Sequence, residues 1–154
     1  MPSRALEELM DNKRVLVVDD EPFMRTLLID LISDLNVQSD EAEDGMVALE
    51  RLKQNEYHLV ISDIRMPNLG GIELLENALK LNILTPFIFL TGYSDDLMIL
   101  KAIKLGAVDF IGKPFLPVEL SNVISRTLEL GQRRLEIANE IRLNSPHLLP
   151  KKKQ

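Results

Sequence analysis

Asp19, Asp20, Asp63, Thr91 and Lys113 are the residues of this 154-residue chain whose types could do chemistry together. Each stands at or just past the end of a short apolar run. Asp19-Asp20 follows Arg14-Val15-Leu16-Val17-Val18, and Asp63 follows His58-Leu59-Val60-Ile61-Ser62. Thr91 follows Phe87-Ile88-Phe89-Leu90, and Lys113 follows Val108-Asp109-Phe110-Ile111-Gly112. Taken singly, each has a bland reading. An Asp pair caps the next helix, an Asp before a turn forms the turn, and Lys-Pro closes a strand. Taken together, three carboxylates on one edge are costly unless a cation compensates. A hard divalent cation with oxygen ligands is the expected compensation, and Mg²⁺ suits such a site because it keeps several waters.

The elements that would bring these residues together alternate along the chain. Near-continuous apolar, β-branched runs suit a parallel sheet covered on both faces. A weaker strand is expected near Val37 to Glu43. Between the runs, apolar residues recur at three and four. The sets are Phe23, Leu27, Leu28, Leu31, Ile32 and Leu35, then Val47, Ala48 and Leu52, then Ile72, Leu75, Leu79 and Leu81. Leu97, Leu100 and Ile103 mark a fourth helix, with Ser94 or Asp95 as its N-cap. A fifth helix starts near Val118. Strand then helix, five times over, predicts an α/β fold with a parallel sheet, right-handed crossovers and helices on both faces. Ligands of such sheets bind beyond the C-terminal ends of the strands, where the five polar residues stand.

Composition removes other classes. There is no cysteine, so disulfides, thiolate metal sites and Cys nucleophiles are excluded. Two histidines, His58 and His147, leave almost no room for a multi-His metal site. The net charge of −6 disfavours a phosphate-backbone-binding surface, and the terminal Lys151-Lys152-Lys153 is too short to change that. No apolar run approaches the roughly 20 residues of a membrane helix. The N-terminus lacks the apolar stretch of a secretory signal, and a cytoplasmic location is expected. No phosphate-cradling glycine-rich loop follows the first strand, which disfavours a nucleotide-binding reading.

Several pieces together resemble the receiver domain of two-component response regulators. They are Asp19-Asp20, Asp63-x-x-Met66-Pro67, Gly70-Gly71, Thr91-Gly92, Gly106-Ala107 and Lys113-Pro114-Phe115. The resemblance covers roughly residues 13 to 130. It implies a doubly wound, flavodoxin-like α/β fold with a five-stranded parallel sheet in the order 2-1-3-4-5 and five helices. It also implies that Asp63 is the phosphoacceptor, attacking the phosphoryl group on a partner kinase's histidine to form an acyl phosphate. Asp19, Asp20, Asp63 and the Arg65 backbone carbonyl would hold Mg²⁺. Lys113 would pair with phosphoryl oxygens, from a cis Lys113-Pro114 peptide. Thr91 and the aromatic Phe110 would form the switch, although Phe110 lacks the hydroxyl that Tyr commonly brings there. Arg65 and Tyr93 flank the path of the hydrolytic water. Both are large, so slow self-dephosphorylation is expected.

The expected function is therefore a phosphorylation-dependent signalling switch, not an enzyme beyond its own phosphoryl transfer. Its partners would be a sensor histidine kinase or histidine phosphotransfer protein and a downstream protein, the latter bound through the fourth helix, fifth strand and fifth helix. The alternatives are a receiver fragment of a larger regulator, a pseudo-receiver that binds without being phosphorylated, and a Mg²⁺-dependent phosphatase. The phosphatase reading is weak because Arg65, not a second Asp, stands two residues after Asp63. No recognition helix or basic stripe points to DNA.

Residues 1–12 are expected to form an extension in which Leu6, Leu9 and Met10 could pack back, followed by the receiver at 13–130. Residues 131–154 are expected to be a helical extension with a loose end. Leu120, Val123, Thr127, Leu130, Arg134, Ile137 and Ile141 step by three and four, which resembles a short coiled-coil stripe. A fifth helix running from about 118 to 143 would carry a homodimer contact. Gly131 is the residue that could instead end it.

Overall fold

The computed structural model describes residue 4, residues 12–92 and residues 94–144. The N-terminal residues Leu6, Leu9 and Met10, Tyr93, His147 and the lysine-rich end lie outside the described residues. Among residues 12–92 and 94–144, five strands and five helices alternate. They are β1 (Arg14–Val18), α1 (Pro22–Ser33), β2 (Gln38–Ala42), α2 (Gly45–Gln54), β3 (Leu59–Asp63), α3 (Gly71–Lys80), β4 (Phe87–Thr91), α4 (Asp96–Lys104), β5 (Asp109–Gly112) and α5 (Pro117–Asn144). All strand pairs are parallel, in the order β2-β1-β3-β4-β5. No helix among the described residues is long and apolar enough to cross a membrane.

The period of two along each strand sorts the core into two layers. Val15, Val17, Leu59, Ile61, Ile88, Leu90 and Ile111 point to the layer roofed by α1 and α5. Leu16, Val18, Val60, Phe87 and Phe89 point to the layer of α2, α3 and α4. β1, β3 and β4 are buried on both faces, which is why they lack polar alternation. The edge strand β2 is mostly polar and partly exposed, matching its weak signal in the sequence. At the last residue of β3 and one step beyond β1 and β5, the same parity places Asp63, Asp19 and Lys113 on the α1/α5 side.

One helical stripe, that of α4, has a different phase from the one its spacing suggested. In α4 the core side is Ala102 with Met98 and Ile99, while Leu97, Leu100 and Ile103 face outward, Leu97 being 83% exposed. In α1 the expected stripe does face the core through Leu28, Leu31 and Ile32, and only its first members, Phe23 and Leu27, are exposed. Periodicity reveals a helix but not which apolar stripe faces the sheet when two are present.

α5 runs unbroken through Gly131 for 28 residues, about 42 Å at 1.5 Å per residue. Its core-facing residues are Leu120, Ile124 and Leu128. Beyond them, Leu130, Leu135, Ile137, Ile141 and Leu143 are exposed. The helix therefore continues past the sheet, and Gly131 does not act as a terminator.

Candidate functional site: an acidic cluster with one lysine

β1 ends in a turn that buries Asp19 completely and leaves Asp20 exposed. The Glu21 backbone N–H donates to Asp19 Oδ1 at 2.9 Å, and Arg25 on α1 donates to the Asp19 carbonyl at 2.7 Å. Asp63 closes β3, with its Oδ1 accepting from the Ile64 N–H at 2.8 Å. One carboxylate oxygen each from Asp19, Asp20 and Asp63 lies within 4.8 Å of the others.

Lys113 reaches this cluster from the turn after β5, where the Lys113-Pro114 peptide is cis. The Lys113 N–H donates to the Thr91 carbonyl at 2.8 Å, fixing that turn to the end of β4. Lys113 Nζ stands 3.1 Å from Asp63 Oδ2 and 3.8 Å from Asp19 Oδ2. Burial pulls the Lys113 ammonium down, but the Asp63 carboxylate and then Asp19 outweigh it and hold it above the usual lysine value. Burial pushes the Asp19 carboxyl up to about 6, with Asp63 and Asp20 adding to the rise and the Glu21 N–H and Lys113 opposing it.

The donor set fits a hard cation on an observation independent of its charge. Asp19 Oδ2 is buried and has no hydrogen-bond partner among the described residues. A buried carboxylate oxygen left bare is expensive, and a divalent ion with oxygen ligands would satisfy it.

Thr91 is buried at the end of β4, and its Oγ1 makes a long 3.5 Å hydrogen bond to the Ile111 carbonyl. Phe110 is half-buried on the α2/α3/α4 side, stacked on Phe89 with ring centroids 6.2 Å apart. Arg65 is exposed and turned to the β4–α4 loop, where Nε donates to Asp95 Oδ1 at 2.8 Å and Nη2 to the Ser94 carbonyl at 3.0 Å.

Two further carboxylates, Asp95 and Asp44, anchor the loops around the site, Asp95 in a role other than the cap its position predicts. Asp95 precedes α4 but gives no side-chain cap to it. Its Oδ2 instead accepts from the Gly92 N–H at 2.6 Å. Burial pushes the Asp95 carboxyl up, but the Gly92 N–H and Arg65 outweigh it and hold it below the usual range. Asp44 caps α2 through the Val47 N–H, and its other oxygen accepts from Asn68 Nδ2 at 2.8 Å. Those two bonds lower its carboxyl. Asn68 and Arg65 thus pin the two sides of the loop after Asp63. The Asp44-Gly45 pair carried a cap signal in the sequence, whereas nothing local linked Asp95 to Arg65.

The model for the response regulator receiver domain matches residues 15–125, and the chain belongs to that family. It is 38% identical over 118 residues to the chemotaxis protein CheY of Thermotoga maritima, covering 74% of this chain and 98% of CheY. It is 32% identical over 143 residues to the transcriptional regulatory protein FixJ of Bradyrhizobium diazoefficiens, covering 91% of this chain and 70% of FixJ. A CheY-like receiver structure from Methanospirillum hungatei superposes with a TM-score of 0.75 at 27% identity, covering 79% of this chain and 98% of that one. NtrX of Brucella abortus superposes with a TM-score of 0.78 at 30% identity, covering 90% of this chain and 31% of NtrX. The fold and the family agree that residues 15–125 form a signalling receiver domain of two-component systems.

Proposed function

We propose that this protein is a phosphorylation-dependent switch in which Asp63 takes a phosphoryl group from a histidine kinase or a histidine phosphotransfer protein. The observation that carries this reading is Asp63 Oδ2 at 3.1 Å from the Lys113 ammonium, inside the Asp19, Asp20 and Asp63 cluster. In the transfer, the Asp63 oxygen forms a bond to phosphorus. The phosphorus–nitrogen bond of the donor breaks, and the departing imidazole takes up a proton. Lys113 neutralises charge on the phosphoryl oxygens, and the fixed Ile64 N–H and the pinned loop hold Asp63 ready. Asp19, Asp20, Asp63 and the Arg65 carbonyl are the groups that would hold Mg²⁺. When bound, Mg²⁺ supplies Lewis-acid neutralisation of phosphoryl charge.

Thr91 and Phe110 carry the response. The Thr91 hydroxyl leaves the Ile111 carbonyl for the phosphoryl group, and Phe110 follows. The bond at Ile111 is long and therefore cheap to break. Large residues, Arg65 and Tyr93, stand in the sequence two positions after Asp63 and two after Thr91, in keeping with a long-lived acyl phosphate. The partner surface is the exposed apolar face of Leu97, Leu100, Ile103, Leu116 and Val118 on α4 and around the start of α5. A second copy of the chain pairs through the outer half of α5. The protein works in the cytoplasm.

Mass spectrometry of the chain mixed with Mg²⁺ and acetyl phosphate tests the reading. One phosphoryl group is expected on the wild type and none on Asp63→Asn. Equal labelling of both would remove Asp63 as acceptor.

A further inference from the structure

We propose that Arg65 and Asp95 form a latch that holds the Thr91 loop in its unphosphorylated arrangement. This rests on the reading of Asp63 as phosphoacceptor and adds a restraint to it. The two oxygens of Asp95 are divided between two loops. Oδ2 accepts from the N–H of Gly92, the residue after Thr91, at 2.6 Å. Oδ1 accepts from Arg65 Nε, two residues after Asp63, at 2.8 Å. Arg65 Nη2 adds a bond to the Ser94 carbonyl at 3.0 Å. One guanidinium fork therefore grips the β4–α4 loop at two points, a geometry that lysine cannot reproduce.

The burial of Asp95 makes the latch costly to change. Its side chain is 5% exposed, against 59% for Arg65. A buried carboxylate is held by charge-assisted bonds to both partners, and losing one leaves it poorly compensated. The Gly92 amide thus depends on Asp95, and Asp95 depends on Arg65. In this arrangement the neighbouring Thr91 hydroxyl faces Ile111, away from the role the switch gives it. The pair opposes that movement, and its strength sets how much phosphoryl binding is spent on loop rearrangement. Arg65 and Asp95 act here as positioning residues through Gly92, not on the phosphoryl group itself.

Beryllofluoride with Mg²⁺ is the probe, and calorimetric titration of the full chain reads its affinity. Arg65→Met and Asp95→Asn are each expected to bind it at least about fivefold more tightly than wild type, the lower end of common allosteric couplings. The double variant is expected to gain no more than either single one, because both remove the same latch. Arg65→Lys is expected to fall between wild type and Arg65→Met. Arg65 is largely exposed, so Arg65→Met keeps the experiment informative if Asp95→Asn folds poorly. Unchanged or weaker binding by Arg65→Met overturns the latch, as do single effects that multiply in the double variant. Failure of the wild type itself to bind beryllofluoride would overturn the phosphoacceptor reading and the latch together.

Discussion

Lys113 Nζ is 3.1 Å from Asp63 Oδ2, across 50 residues of sequence, and is the cation that joins the end of β5 to the end of β3. Its removal leaves the Asp19, Asp20 and Asp63 carboxylates to repel one another. Lys113→Ala is expected to destabilise the metal-free protein by on the order of 2 kcal/mol, less than a fully buried pair because Lys113 is partly exposed. The same substitution made in Asp63→Asn should cost less. Urea unfolding of the four proteins measures the coupling, and equal costs in both backgrounds would show that the two side chains do not interact.

The burial of Asp19 gives a pH dependence with a definite sign. Its carboxyl rises from 3.8 to about 6 in the folded protein. A raised carboxyl contributes stability that is complete below pH 3.8 and lost as pH rises through about 6. Metal-free Asp19→Asn should therefore be more stable than wild type at pH 7, by up to about 3 kcal/mol. The advantage should shrink as pH falls towards 4. The difference between the two proteins isolates this effect from Asp95 and Asp44, whose lowered carboxyls act in the opposite direction. Added Mg²⁺ should reduce the advantage at pH 7 by compensating the wild-type carboxylate. A wild type more stable than Asp19→Asn at pH 7 in chelator would contradict the burial cost.

Two glycines predict opposite outcomes. A Cβ at Gly71 would run into the Asp63 carbonyl, with Phe89 and the Ser62 hydroxyl also at 2.9 Å. Gly71→Ala is expected to cost about 2 kcal/mol or more, because the backbone of the acceptor residue itself must shift. At Gly131 nothing lies within 4 Å of the added Cβ. Gly131→Ala should stabilise α5 by up to about 1 kcal/mol. Thermal melts of both variants check the pair of signs.

How far the sequence speaks can be judged from such positions. β1, β3 and β4 were legible because burial on both faces demands unbroken apolar runs, and the residues after those runs had to share one edge. Asp63 and Lys113 were legible for that reason. Gly131 was ambiguous because local propensity favours a stop, whereas the helix on either side of it continues. The inward face of α4 was illegible: Leu97, Leu100 and Ile103 have helical spacing, yet the sheet takes the smaller Ala102. The Arg65–Asp95 pair was hidden for a different reason. Its partners are 30 residues apart, and only the two loops that follow β3 and β4 bring them together.

The exposed outer half of α5 makes its own prediction. Leu130, Ile137 and Ile141 continue at coiled-coil spacing beyond the sheet, interrupted by Arg134. Light scattering is expected to find a dimer for the intact chain and a monomer for the Ile137→Asp, Ile141→Asp double variant. A monomeric wild type at high micromolar concentration, with and without beryllofluoride, would exclude pairing through this helix.

The central claim is that the Asp63 side chain accepts the phosphoryl group with help from Lys113. Peptide mapping after incubation with Mg²⁺ and acetyl phosphate tests it most directly, with the acyl phosphate trapped by borohydride reduction. One modified residue, Asp63, is expected, with labelling lost in Asp63→Asn and strongly reduced in Lys113→Ala. Labelling at another residue, or none in a folded wild type that binds Mg²⁺, would contradict it.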